Sequence, residues 1–234
     1  MRNILMQLNN SFIRLKKIIG EENFDILKNK CVLVLGCGGV GGYVVESLAR
    51  SGIGSIILVD YDIVDESNIN RQIIALTSTI GLKKIDVLEE RIHLIQPECH
   101  VIKISSFITD ENINLLFSYK IDFLVDACDT ILTKKMIISE CLKRNISFIT
   151  CCGTGNKFDP SKLEITDIRK TVNDPLARIL RKYVKDNKIK EKVIVCSSTE
   201  IPKKTHDRVP GSTAFVPSSA GLLISSYIIR EFLK

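Results

Sequence analysis

The sequence predicts an α/β fold in which helices cover both faces of a doubly wound, mostly parallel sheet. Two observations support this prediction. Short apolar segments of strand length alternate with amphipathic segments of helix length through the first two-thirds of the 234 residues. A glycine-rich turn also follows the first apolar segment, and such a turn connects the first strand of a doubly wound sheet to its helix.

Five segments are predicted to be buried parallel strands, because each is almost entirely apolar. Four other segments carry apolar residues at helical spacing and are predicted to be the crossover helices. The predicted strands are Cys31 to Gly36, Ser55 to Asp60, His100 to Ser105, Ile121 to Ala127 and Ile146 to Cys152. The predicted helices are Gly41 to Ser51, Lys84 to Ile95, Glu111 to Ser118 and Thr133 to Lys143.

The alternation is less regular after Gly153. The letters KLEITDI and KVIVCSS predict two more strands, on either side of a basic helix from Pro175 to Lys185. The last segment, Ser218 to Leu233, is apolar with few charges and predicts a helix buried against the sheet. We therefore expect this C-terminal part to be an extension of the same domain.

The composition excludes several classes of protein. Hydrophobic residues make up 45% of the chain and charged residues 26%, which is typical of a soluble globular protein. No long apolar run and no signal-peptide pattern is present, so we expect a cytoplasmic protein without a membrane span. The eight cysteines are dispersed and form no C-x-x-C pair, so we expect reduced thiols and no cysteine zinc site.

The net positive charge is confined to one part of the chain. The protein has 33 basic and 27 acidic residues, and the segment from Lys157 to Arg208 holds 14 of the basic and 8 of the acidic ones. Two interpretations stay open: a surface that binds the phosphates of a nucleic acid, or an ordinary solvated helix. The predicted nucleic-acid contacts share one face of the basic helix at i, i+3, i+4 and i+7. They are Arg178, Arg181, Lys182 and Lys185.

The glycine-rich turn predicts a nucleotide site of the Rossmann-like kind. Gly36, Gly38 and Gly41 fit the pattern G-x-G-x-x-G between a predicted strand and a predicted helix. Glycines let the backbone approach a phosphate closely, and the N-terminus of the helix presents N–H groups to it. Asp60 ends the next predicted strand, where an acidic side chain can accept hydrogen bonds from ribose hydroxyls. The pattern alone predicts an adenine nucleotide.

The polar residues beyond Asp60 argue against a nicotinamide nucleotide. Hydride transfer leaves the pyrophosphate intact, so a dehydrogenase needs no cations along it. Arg71 and Lys84 are predicted to reach the same nucleotide, as phosphoryl or adenylyl transfer requires when negative charge grows on the leaving group. Asp129 follows another predicted strand at the same edge of the sheet, where a carboxylate can hold Mg²⁺ on the phosphates.

Together these motifs resemble those of the ubiquitin-activating-enzyme superfamily, which includes the adenylating enzymes of thiamin and molybdopterin biosynthesis. The motifs are G-x-G-G-x-G, D-x-D, N-x-x-R-Q, G-x-x-K and D-x-x-D. The resemblance implies that the chain activates a carboxylate with ATP. It also implies which residues bind the nucleotide. The phosphates would be contacted by Gly36, Gly38, Gly39 and Gly41, and the ribose by Asp60, with Asp62 in the same motif. The reacting phosphate would be contacted by Arg71, Lys84 and Asp129, with Asp129 also at the metal and with Asn68 and Gln72 on either side of the arginine.

Within the superfamily the chain is similar to the tRNA threonylcarbamoyladenosine dehydratases, most specifically in the letters TDIRKTVNDPLARILRK. That resemblance implies ATP-dependent dehydration, by cyclisation, of N6-threonylcarbamoyladenosine in tRNA through activation of the threonyl carboxylate. The implied cofactors are ATP and Mg²⁺, with a monovalent cation as a further candidate and no zinc. The implied partner is tRNA, with a cysteine-desulfurase sulfur-relay protein as a further candidate. The segment between Glu200 and Gly211 is shorter than is usual in this group.

The resemblance also implies a homodimer, because a second subunit of these enzymes usually lends an arginine from its N-terminal segment. Arg14 stands at the matching place and is counted among the candidate catalytic residues. We therefore expect residues 1–29 to be a helical segment that contacts the other subunit, 30–156 the ATP-binding core, and 157–234 a basic extension that contacts tRNA.

Two other functions stay open. One is an adenylating enzyme for the C-terminus of a ubiquitin-like or sulfur-carrier protein. The other is a non-enzymatic NAD-binding or redox-sensing module, for which Arg71 and Lys84 would be dispensable. Ring closure by an internal nitrogen or oxygen needs no catalytic cysteine, so Cys151, Cys152 and Cys196 are interpreted as structural, with a persulfide or redox role as the alternative.

Overall fold

The structure is a computed structural model and describes residues 11–205 and 209–234. Residues 1–10 of the predicted N-terminal segment and residues 206–208 at the end of the predicted basic segment lie outside the described part. In the described part no helix is long and apolar enough to cross a membrane.

One seven-stranded sheet forms the centre of the molecule. Its strand order is β3-β2-β1-β4-β5-β7-β6, and every neighbouring pair is parallel except β6 and β7. The order reverses between β1 and β4, which is the switch point at which doubly wound sheets bind ligands. The strands are β1 Cys31–Leu35, β2 Ser55–Val59, β3 His100–Ile104, β4 Phe123–Asp126, β5 Phe148–Cys151, β6 Leu163–Asp167 and β7 Ile194–Ser198.

Helices cover both faces of the sheet, so the mostly parallel, doubly wound prediction is confirmed. Side chains of α2, α3, α4 and α7 pack on one face, and side chains of α5 and α6 pack on the other. Alternate residues of β1 point into the two cores: Val34 into the first and Leu33 into the second. The helices are α1 Ile13–Ile19, α2 Glu21–Lys28, α3 Gly41–Arg50, α4 Lys84–Ile95, α5 Ile131–Arg144, α6 Pro175–Asp186 and α7 Phe215–Phe232.

Two predicted helices differ from the structure. The predicted helix from Glu111 to Ser118 is wrong: only a short 3₁₀ segment, Ile113–Phe117, forms there. This segment connects β3 to β4 and buries just Ile113 and Leu116, which is too little apolar area for a stable crossover helix. The closing helix begins at Phe215, three residues before the predicted start, because Pro217 is tolerated in its first turn.

The C-terminal extension continues the same sheet. β7 pairs in parallel with β5, and β6 returns antiparallel beside β7 as the edge strand. Asp174 begins α6, since its side chain accepts a hydrogen bond from the backbone N–H of Ala177. Asp174 also lies against Gly153, just after β5, so the basic helix begins near the carboxyl end of that strand.

Candidate functional site

A pocket of about 450 Å³ lies at the carboxyl edge of the sheet, across the switch point between β1 and β4. Ten of the predicted nucleotide-binding residues line it, although they come from four separate stretches of the chain. Parallel strands end at the same edge, which brings these stretches together. The ten residues are Gly36, Gly38, Gly39, Asp60, Asp62, Asn68, Arg71, Gln72, Lys84 and Asp129.

The glycine turn forms the floor of the pocket. Gly36 has a φ of +87°, and a Cβ at this position would lie 2.7 Å from the backbone nitrogen of Cys128. Both constraints require glycine. Gly41 is buried and does not line the pocket, contrary to the expectation that it contacts phosphate. A Cβ on Gly41 would collide with the carbonyl oxygen of Gly36, so this glycine lets α3 begin directly behind the turn.

Asp60 braces the glycine turn from the next strand. Its Oδ2 accepts the backbone N–H of Cys37 at 2.6 Å, and its Oδ1 accepts the backbone N–H of Asp62 at 2.8 Å. Each carboxylate oxygen has more than one lone-pair site, so these bonds leave acceptor capacity for a ribose hydroxyl. The structure thus gives Asp60 a structural role that the sequence did not predict.

Lys84 and Asp62 form an ion pair on the pocket wall. The Lys84 Nζ lies 2.7 Å from Asp62 Oδ2, with the lysine side chain 7% exposed and the aspartate side chain 44% exposed. Lys84 is also the first residue of α4, where the helix dipole disfavours a positive charge, and Asp62 offsets that effect. An ammonium group has three donors, so Lys84 can hold Asp62 and a phosphate oxygen together.

Arg71 is held at the mouth of the pocket by local contacts. Its Nη1 donates to the carbonyl oxygen of Ser67 at 2.8 Å and to the Oδ1 of Asn70 at 2.9 Å. Asn68 closes the preceding 3₁₀ turn by accepting the backbone N–H of Asp65. The methylene groups of Arg71 lie beside Gly39, and these bonds hold its guanidinium.

Gln72 lines the pocket and carries one buried polar atom. Its Oε1 is shielded from solvent and accepts no hydrogen bond from the described residues. A buried amide oxygen without a donor is unfavourable by about 1–3 kcal/mol. A ligand or water that donates to this oxygen would remove that penalty.

Asp129 lies on the loop after β4, and a buried ion pair supports that loop. Asp126 and Lys134 are both 0% exposed, with Lys134 Nζ 3.1 Å from Asp126 Oδ1. The same carboxylate oxygen accepts the backbone N–H of Cys128 at 3.3 Å. Burial is the largest effect and opposes the charge on Lys134, but Asp126 and the nearby cysteines together outweigh it and raise the pKa of the lysine. The sequence analysis missed Lys134, because nothing in the spacing of the two residues indicates that their side chains meet.

Three cysteines, Cys128, Cys151 and Cys152, form part of the pocket wall. Burial, followed by the nearby Asp126 carboxylate, raises the pKa of Cys128, and burial raises that of Cys152 well above its usual value. A hydrogen bond with Cys151, together with burial, raises the pKa of Cys196. A nucleophilic or sulfur-accepting cysteine needs a lowered pKa, so these thiols support the structural interpretation.

The predicted basic face is smaller than the sequence suggested. Arg178, Lys182 and Lys185 are exposed on α6 and border a surface groove of about 990 Å³. Arg181 also borders the groove, but its Nη1 donates to the carbonyl oxygen of Thr171 at 2.5 Å and to its hydroxyl at 2.6 Å. The guanidinium of Arg181 thus supports the protein itself.

Lys157, the first residue of the predicted basic segment, is buried. Its Nζ lies 2.9 Å from the Asp174 carboxylate and 2.8 Å from the carbonyl oxygen of Gly153. The expectation that the whole segment offers charge to a nucleic acid is therefore wrong at Lys157. Its charge instead ties the start of α6 to the wall of the pocket.

Arg14 is exposed on α1 and does not line the pocket of its own chain. The residue therefore has no part in this site unless a second copy of the chain supplies it.

The comparisons with known proteins agree with this site. A family model described as the ThiF family matches residues 10–230. A tRNA threonylcarbamoyladenosine dehydratase of Bacillus subtilis is 42% identical over 95% of this chain and 94% of its own length. Another of that name from Escherichia coli is 39% identical over 73% of this chain and 64% of its own length. The crystal structure of the E. coli tRNA N6-threonylcarbamoyladenosine dehydratase in complex with ATP is similar with a TM-score of 0.90 and 33% identity, over 96% of this chain and 94% of that chain.

Proposed function

The chain belongs to the ThiF family, and we propose that it is an ATP-dependent tRNA threonylcarbamoyladenosine dehydratase. The observation that carries this proposal is the one pocket in which the glycine turn, two cations and an exposed carboxylate meet. Relatives of that name match the chain along nearly its whole length, including the C-terminal extension. The substrate would be N6-threonylcarbamoyladenosine in tRNA, whose threonyl carboxylate is activated and then closed into a ring.

In this proposal ATP binds along the glycine turn. The N-terminus of α3 presents backbone N–H groups to the phosphates, with Gly38 and Gly39 allowing close approach. Asp60 accepts a ribose hydroxyl while it braces the turn, so the nucleotide would meet an acceptor that the protein has already ordered.

Activation joins the substrate carboxylate to a phosphorus of ATP. A carboxylate oxygen attacks the phosphorus, and either pyrophosphate or ADP leaves with the bonding electrons. Lys84 and Arg71 stabilise the negative charge that grows on the phosphate oxygens, since the network around each cation already orients it. No reorganisation of these side chains is needed when the charge develops.

Ring closure then releases the activating group. A nitrogen or oxygen of the carbamoyl group attacks the activated carbonyl carbon, and AMP or phosphate leaves with the former carboxylate oxygen. The substrate has lost one water in total, and its nucleophile is internal. The protein has to orient the two groups and exclude competing water.

The residues fit Mg²⁺ only in combination with the nucleotide. Asp129 is an exposed carboxylate on the pocket wall, whereas Asp62 is paired with Lys84. Across residues 11–205 and 209–234, no three His, Cys, Asp or Glu side chains converge to hold a metal. We therefore propose that Asp129 holds Mg²⁺ together with phosphate oxygens, where the ion would neutralise phosphate charge.

The tRNA would lie across α6. Arg178, Lys182 and Lys185 are exposed beside the groove and would contact the phosphates of the tRNA, which positions a nucleic acid without reading its sequence. The ion pair of Lys157 with Asp174 connects the start of this helix to the pocket wall. A tRNA bound on α6 would therefore have a fixed position relative to the pocket. A cytoplasmic location belongs to the same proposal.

The experiment is a dehydration assay with purified protein. Incubation with ATP and a tRNA that carries N6-threonylcarbamoyladenosine should convert that nucleoside into one lighter by a single water, seen by mass spectrometry after digestion to nucleosides. Omission of ATP is the control and should leave the open form unchanged. Adenylation of a sulfur-carrier protein's C-terminus, with no conversion of the tRNA nucleoside, would instead establish the alternative function.

We also propose that the protein is a homodimer in which Arg14 enters the pocket of the other subunit. Arg14→Ala and Lys84→Ala proteins should each be inactive, and mixing them should restore part of the activity because each heterodimer has one complete site. If subunits are seen to exchange and activity does not return, Arg14 does not act in trans.

A further inference from the structure

Two exposed phenylalanines form a rim beside the pocket: neither lines it, but each is within three residues of a lining residue, Gly155 or Pro217. Phe158 is 54% exposed and Phe215 is 52% exposed, and their ring centroids are 5.4 Å apart with an angle of 76° between the planes. The Nζ of Lys203 lies 5.2 Å from the centroid of the Phe158 ring. Neither phenylalanine belongs to the two hydrophobic cores, so folding alone does not explain this cluster.

Hydrogen bonds from the backbone N–H groups of both phenylalanines hold these residues in position. The Glu200 carboxylate accepts the backbone N–H of Phe158 at 2.9 and 3.0 Å and that of Asp159 at 2.8 Å. Phe215 is the first residue of α7, and its N–H donates to the hydroxyl of Thr213. A surface ordered before binding loses less conformational entropy when a partner arrives.

Hydrogen bonds join this rim to the pocket. Asn156 and Gly211 exchange two bonds of 2.7 Å, and the backbone N–H of Lys203 donates to the carbonyl oxygen of Asn156. On the other side, the Asn70 side chain donates to the carbonyl oxygen of Ser212, which lines the pocket. The same Asn70 accepts a bond from Arg71, so the rim and the catalytic arginine are held by one network.

We propose that Phe158, Phe215 and Lys203 form a platform on which an unpaired tRNA base stacks while its modified neighbour occupies the pocket. This inference rests on the proposed function. A base whose N6 substituent enters an enzyme pocket has to leave its own stack, and the adjacent bases thereby lose a stacking partner. An exposed aromatic face replaces that partner, and a lysine beside it pairs with the phosphate of the same nucleotide.

Charge favours RNA over a second copy of the chain on this surface. Lys203 is exposed beside the Phe158 ring, whereas the carboxylate of Glu200 is occupied by backbone N–H groups. Two copies that met through this rim would bring lysines of both copies together, which is unfavourable. A polyanion with flat bases complements both the charge and the aromatic faces.

The test compares leucine variants with the wild-type protein in the dehydration assay. Phe158→Leu and Phe215→Leu keep an apolar side chain but remove the aromatic face. We expect the double variant to raise the KM for modified tRNA about tenfold or more, with little change in kcat at saturating tRNA or in the KM for ATP. Tyr119→Leu, another exposed aromatic residue, which does not line the pocket, is the matched control and should leave all three values unchanged.

Fluorescence supplies a second readout, because the chain contains no tryptophan. Phe215→Trp keeps an aromatic face, so it should retain activity, and binding of unmodified tRNA should quench the new fluorescence by stacking. The platform is overturned if wild-type protein dehydrates tRNA but the leucine variants keep its KM, or if the double variant dissociates into monomers in sedimentation experiments. Wild-type protein that does not dehydrate tRNA would overturn the proposed function first, and the platform with it.

Discussion

The pocket edge and the outer face of α6 both carry positive charge, but they hold it differently. At the pocket, Lys84 is almost buried and pairs with Asp62 at 2.7 Å, and Arg71 is bonded to the carbonyl oxygen of Ser67. On α6, Arg178 and Lys182 extend into solvent. A fixed cation stabilises charge at one point, whereas an exposed cation attracts a polyanion without fixing its atoms.

This difference teaches where single substitutions should have large effects. A buried or bonded cation has partners that remain behind when it is removed, and in the pocket it also faces one reacting group. An exposed cation is one of several that attract the same polyanion, and salt screens its charge.

The largest effect is expected at the buried pair beneath Asp129. Lys134→Met leaves the Asp126 carboxylate buried without its cation, and we expect the free energy of unfolding to fall by about 3–5 kcal/mol. Urea denaturation measures this change. The double variant Lys134→Met with Asp126→Asn removes both charges and should recover much of the loss; equal losses in the single and double variants would contradict this explanation.

The next effect concerns catalysis. Lys84→Ala and Arg71→Ala should each lower ATP-dependent turnover by about 100-fold or more, because one cation on a transferring phosphate is lost. The free energy of unfolding should change by only about 1 kcal/mol or less, since Asp62 is 44% exposed and regains solvent. Initial-rate assays and thermal unfolding measure the two quantities.

Lys83→Ala is the matched control for Lys84→Ala. Lys83 is the adjacent lysine, is exposed and does not line the pocket, so its loss should leave turnover near normal. Comparable losses in both variants would show that the α4 N-terminus, and not the Lys84 ammonium, is what the reaction needs.

A smaller effect is expected on α6, and only for combined changes. Reversing Arg178, Lys182 and Lys185 to Glu should raise the KM for tRNA about tenfold and reduce its salt dependence by about one unit of log–log slope per lost contact. Arg178→Ala alone should change the KM by only about two- to threefold. The KM for ATP should stay constant throughout.

Arg181 sharpens the same comparison, because it stands on the basic face but bonds to Thr171. Arg181→Ala should destabilise the protein by about 1–3 kcal/mol, since it leaves a buried carbonyl oxygen without its donor, and it should leave the salt dependence of tRNA binding unchanged. A changed salt slope with normal stability would return Arg181 to the nucleic-acid interface.

Much of the fold could be predicted because the signals are local. The apolar segment at Cys31–Leu35 and the helical spacing at Lys84–Ile95 each encode an element within a few residues, and both elements are where they were expected. The segment around Ile113–Phe117 has a similar apolar pattern but buries too few side chains to form a full helix. The local pattern therefore predicted an element correctly where that element buries enough apolar side chains in the core.

The sequence by itself determined the doubly wound sheet, the glycine turn and the set of residues at its carboxyl edge, because backbone preference and strand direction act over short stretches. Only the tertiary structure decided how the charges are used. Lys84 meets Asp62, Lys134 meets Asp126, and Lys157 meets Asp174 across segments that are not neighbours in any local pattern. The physical reason is that a charge removed from water is stabilised by an opposite charge close to it in three dimensions. The two residues can be separated by any number of residues in the sequence, so no local pattern identifies them.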